Sequence, residues 1–68
     1  MVDAKKLKGL IVLSGKTQKE VAKEVGMSTN TLSNKINGNR EFTVGEVINI
    51  CNILHITDNA EKAQIFLG

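Results

Sequence analysis

Three times along this chain a Thr or Asp is followed at the third position by Glu: Thr17 and Glu20, Thr43 and Glu46, Asp58 and Glu61. At that spacing the first side chain caps the free amides of an opening helix, and the Glu reaches back to the amide of the cap. Gly15 precedes the first of these starts, and Gly26 and the pair Asn37-Gly38 lie between the first and the second, where helices end. So many starts and stops within 68 residues leave room only for short helices. The pattern predicts an all-α chain in a single domain spanning residues 1–68.

Five helices follow from the apolar spacing between these signals. The first runs from about Asp3 to Ser14, with Leu7, Leu10, Ile11 and Ser14 at i, i+3, i+4 and i+7. Gly9 weakens it and would permit a close helix crossing. The second runs from Gln18 to Val25, capped by Thr17, with Val21, Ala22 and Val25 inward and Lys19, Glu20, Lys23 and Glu24 outward. The third begins after Ser28, with Met27 and Leu32 as the staple pair and Leu32 and Ile36 on its buried side. The fourth follows Thr43, with Phe42 and Val47 as its staple. Val44, Val47, Ile48, Cys51 and Leu54 recur at helical spacing, and Ile50 and Ile53 widen the arc, which predicts the central helix of the fold. A short fifth helix spans Asn59 to about Phe66, and its apolar end is expected to dock on the body.

Composition narrows the function. There is no proline, tyrosine or tryptophan and only two phenylalanines, so the core must be aliphatic and, at this length, small. The single cysteine, Cys51, lies in the run "VINICNIL" and reads as a buried thiol, while the single histidine, His55, reads as a surface residue at a helix end. One Cys and one His make neither a metal site nor a catalytic constellation. No enzyme activity, cofactor or small-molecule ligand is therefore expected. Gly15-Lys16-Thr17 resembles the end of a phosphate-binding loop, but five residues separate Gly9 from Gly15 where that loop needs four. No apolar stretch of membrane-spanning length or signal peptide is present, which predicts a soluble cytoplasmic protein without membrane contact.

The net charge of +2 is unevenly spread. Residues 1–40 carry eight cations against three carboxylates, a net of +5, and residues 41–68 carry one against four, a net of −3. That asymmetry points to a polyanionic partner for the first part. The same part contains "TQKEVAKEVGMSTNTLSNKING", Thr17 to Gly38, two short helices about the turn Gly26-Met27-Ser28. This is the helix-turn-helix pattern, with Ala22 small where the helices must approach. On the second of these helices Asn30, Ser33, Asn34 and Asn37 form a polar stripe opposite Leu32 and Ile36. Asn and Ser are mediocre helix formers, so stability alone does not select them. Asn presents a donor and an acceptor in one plane, which matches the N6 and N7 edge of adenine in the major groove.

From about Leu7 to Phe66 the chain resembles the phage repressor/Cro-type helix-turn-helix proteins, the XRE family. The Thr-Gln opening, Ala22, the turn Gly26 and the closing Asn-Gly carry the resemblance, together with "REFTVGEVINICNIL". It implies a compact five-helix bundle, a lambda repressor-like DNA-binding domain. It further implies a transcriptional regulator, a repressor of the phage or mobile-element type, that binds double-stranded operator DNA as a homodimer. With the polar stripe, it places Ser28, Thr29, Asn30, Ser33 and Asn34 at base edges. Gln18, Lys35, Asn37, Asn39, Arg40 and Thr43 would lie along the DNA backbone. Gly45 would keep the approach to α-helical amides at the start of the fourth helix open. Many members bury an apolar residue at the position of Lys35, which is here expected to point outward. A dimer interface is expected from Ile50, Ile53, Ile65, Phe66 and Leu67 unless all five complete the monomer core, with Val12 and Leu13 as a second patch. The alternative is a protein-binding module, of antitoxin or antirepressor type, with weak DNA affinity.

Overall fold

Five helices make up the secondary structure of the computed structural model: α1 (Ala4–Leu13), α2 (Gln18–Val25), α3 (Thr29–Ile36), α4 (Val44–Ile53) and α5 (Asn59–Phe66). The structure describes residues 2–67; Met1 and Gly68, the ends of the expected domain, lie outside the described residues. Each helix begins at a side-chain oxygen. Asp3 accepts the Lys6 amide, and Ser28 the Thr31 amide, each at 3.1 Å. Thr17 and Glu20 form a full capping box, with the Glu20 amide 3.1 Å from Thr17 Oγ1 and the Thr17 amide 2.9 Å from Glu20 Oε1. Thr43 and Glu46 form the second, at 3.2 and 2.9 Å. The expected third box reduces to a single cap: Asp58 accepts the Ala60 amide at 2.9 Å.

The ends follow the glycines. Gly26 closes α2 in the left-handed region (φ 93°), where a side chain would be strained. The amides of Gly26 and Met27 both reach the Ala22 carbonyl at 2.9 Å. Gly15 is left-handed as well, and Thr17 is the cap of α2, so Gly-Lys-Thr is a link between two helices. The end of α4 differs. His55, exposed as expected, takes φ 57°, and the Ile56 amide reaches back to the Cys51 carbonyl at 2.8 Å.

The core joins Leu7 and Ile11, Val21 and Ala22, Leu32 and Ile36, Ile50 and Cys51, and Ile56, Ile65 and Phe66. It is aliphatic apart from Phe66, whose ring meets Phe42 edge-on at 5.6 Å. Burial pushes the Cys51 thiol above its ordinary pKa, with Lys62 opposing weakly.

Two expectations about helix faces are corrected. α4 packs on α2 and is not the central helix; α1 and α2 each pack on three neighbours. Only Ile50 and Cys51 of α4 are buried, while Val44 and Ile48 are 78 and 54 % exposed. The reason is geometric: α5 packs on α1, fixed there by the Asp3 amide on the Ile65 carbonyl at 2.7 Å, and leaves the start of α4 uncovered. Gly9 mediates no close crossing either, since a Cβ built there meets nothing within 4 Å.

Candidate nucleic-acid interface

α3 lies against α2 through Leu32 and Ile36, both without exposed surface. This seating turns the opposite side of the helix outward. Thr29, Asn30 and Asn37 are exposed, and Ser33 and Asn34 are half-buried on the flank. The Asn37 amide group leans on Ser33 Oγ at 3.4 Å. Ser28 is exposed at the start of the helix, but its hydroxyl is engaged: it accepts the Thr31 amide and donates to Thr31 Oγ1 at 2.9 Å. The structure thus brings the five expected base-reading residues, Ser28, Thr29, Asn30, Ser33 and Asn34, to one end and one side of α3.

Four of the residues expected along a DNA backbone lie at helix starts or in the connection that follows α3. Gln18 is the first residue of α2 and is half-buried. Asn39 and Arg40 are exposed in the connection from α3 to α4, with their amides on the Asn34 carbonyl at 2.9 and 3.4 Å. Thr43 is exposed at the cap of α4.

For a helix pair in this arrangement, one comparison decides the kinship. A family model described as helix-turn-helix matches residues 7–59. The chain belongs to the repressor/Cro-type (XRE) helix-turn-helix family. Its kind of function is that of a DNA-binding transcription regulator. Neither the curated proteins nor the solved structures provide a match.

In this helix-turn-helix domain Lys35 departs from the expected role. It is 7 % exposed, on the inner side of α3, and its ammonium lies 2.6 and 2.7 Å from the two oxygens of Glu46. Lys35 is therefore removed from the set that faces a DNA backbone. The position is buried together with Leu32 and Ile36. The lysine stem fills the apolar slot, and Glu46 meets its charge. The bonded Lys35 ammonium, followed by the Thr43 amide, holds the Glu46 carboxyl below the ordinary carboxylate value, against the opposing effect of burial. Among the described residues no buried polar side-chain atom lacks a hydrogen-bond partner. Sequence reading missed Glu46 as a partner. The available signal was a lysine at an apolar position followed by a Glu already fixed in place as a cap.

The charge reading changes accordingly. Lys16 pairs with Glu24 at 3.1 Å, and Lys35 is neutralised inside, so among the described residues two of the eight cations in residues 1–40 are ion-paired, and Lys6 donates to Gln64 Oε1 at 2.8 Å. Arg40, Lys19, Lys23 and Lys5 remain exposed. The expected dimer set is dispersed as well. Ile50, Ile65 and Phe66 belong to the monomer core, Ile53 is half-buried, and Leu67 is 79 % exposed. Val12 and Leu13, the second patch, are 73 and 83 % exposed. Among the described residues no group of three His, Cys, Asp or Glu side chains could hold a metal ion, and no helix is long and apolar enough to cross a membrane.

Proposed function

We propose that the chain is a sequence-specific regulator, a small repressor of the phage or mobile-element type, that reads double-stranded operator DNA with α3. The observation that carries this reading is the outer face of that helix. Its inner residues are locked into the core, while Thr29, Asn30, Ser33 and Asn34 present short hydrogen-bonding groups on the other side. A rigid helix with such a face suits the major groove, and Gln18, Asn37, Asn39, Arg40 and Thr43 flank it where backbone phosphates would run.

The regulator acts as a homodimer in this reading, because one domain of this size covers only one half-site. With Ile50, Ile65 and Phe66 used by the core, the surface offered to a second copy in this reading is the groove between α4 and α5, with the exposed Val12 and Leu13 as a separate patch. Val44, Ile48 and Leu67 expose apolar side chains in the groove. Lys62 stands with Glu41 on the same lining, so a two-fold contact can set opposite charges against each other.

The test is selection of bound duplexes from a random pool, followed by Asn30→Ala and Asn34→Ala. Each substitution should weaken the selected duplex by about 1–3 kcal/mol and leave a scrambled duplex unaffected. Equal losses on both duplexes would remove the two asparagines from base reading. Weak binding to every duplex, insensitive to salt, would favour the protein-binding alternative.

A further inference from the structure

Lys35 and Glu46 are joined by two short hydrogen bonds, yet one sits near the end of α3 and the other in the first turn of α4. Between them runs the non-helical segment 37–43, which carries Asn39, Arg40 and Thr43. We propose that the Lys35–Glu46 pair is a positioning device for DNA reading, which registers the base-reading face of α3 with the backbone-contacting segment without itself touching DNA. The inference rests on the DNA reading above.

Three observations carry it. The Lys35 side chain is 8 % exposed and its ammonium donates to both Glu46 oxygens, so little of it is open to a phosphate. Glu46 Oε1 holds two groups at once, the Thr43 amide at 2.9 Å and Lys35 Nζ at 2.6 Å, so the carboxylate that starts α4 also holds α3. The other end of the segment is tied to α3 as well, through the Asn39 and Arg40 amides on the Asn34 carbonyl. Both ends of the segment therefore refer back to the helix that carries Asn30 and Asn34. An apolar residue at position 35 would fill the space, but apolar contact is non-directional, whereas two charge-assisted bonds admit one geometry.

The experiment compares wild type and Lys35→Met on two probes, the duplex the wild type selects from a random pool and a scrambled duplex of equal length. Lys35→Met should weaken the selected duplex by about tenfold, the scale of a small misplacement of base-reading groups, and leave the scrambled duplex unchanged. The salt dependence of binding should keep its slope. A slope shallower by about one unit, with loss on both duplexes, would show Lys35 on a phosphate and overturn the proposal. Full retention of the preference would overturn it too. The double variant Lys35→Met/Glu46→Gln, in which Gln keeps the cap and no charge is buried, should show the same loss if the single variant does not fold. If neither folds, the pair serves stability alone and the proposal fails. A wild type that selects no duplex overturns the DNA reading itself, an outcome distinct from a variant that keeps the preference.

Discussion

A lysine occupies a buried helix position only when a carboxylate meets its ammonium nearby. Lys35 satisfies that condition through Glu46, and the pair has a pH signature. The folded-state pKa of Glu46 lies below its ordinary value of 4.5, so the stability the pair contributes is fully present above that value. It is lost as the pH falls below 4.5 and the carboxyl takes up its proton. Thermal melts from about pH 6 to about pH 3 should therefore show a steeper acid decline for the wild type than for Lys35→Met. Equal declines would mean that the ion pair contributes nothing to stability. This residue also marks where local reading stops. Lys35 was recognisable as a departure from an apolar slot, but an unpaired ammonium belongs in water, so the outward placement followed. The partner that reverses the conclusion lies on another helix, and helical periodicity carries no information about it. The outward side of Asn30 and the flank position of Asn34 were legible because they need only Leu32 and Ile36 to be buried on the other side.

At the scale of the helix, boundaries were legible and faces were not always so. α2 and α5 span the residues expected of them because caps and glycine stops are chemistry within a few residues of each other. The buried face of α4 depends instead on which neighbours reach it. Gly45, Glu46, Asn49 and Asn52 mark one side of the helix as polar, but the apolar residues over the rest do not say which of them a neighbour will cover, and α5 went to α1. Two helical glycines separate stability from function. A Cβ at Gly9 or Gly45 meets nothing within 4 Å. Gly9→Ala, in the middle of α1, should stabilise the fold by about 0.5–1 kcal/mol and leave DNA binding unchanged. Gly45→Ala, in the first turn of α4, should also stabilise, yet weaken binding to all duplexes if that turn faces the DNA backbone. Melting and binding curves of the two variants check both statements. Equal binding by both would take the start of α4 out of the interface.

For the whole molecule, the question is how much apolar surface a 68-residue chain can spare. The core takes Ile50, Ile65 and Phe66, so Phe66→Glu should unfold the domain rather than release a monomer. Ile48→Glu, on the rim of the α4–α5 groove, should instead give a folded monomer with weaker operator binding, as sedimentation and binding curves would show. A wild type that sediments as a folded monomer at high concentration would leave dimerisation on DNA as the only form of that interface. The claim that α3 reads DNA is tested most directly by following each backbone amide resonance while the selected duplex is added. The account predicts changes at Gln18, Ser28 to Asn34 and Asn37 to Arg40, with the core amides of α1 little affected. Changes confined to Val44, Ile48, Lys62 and Leu67, with α3 silent, would contradict it.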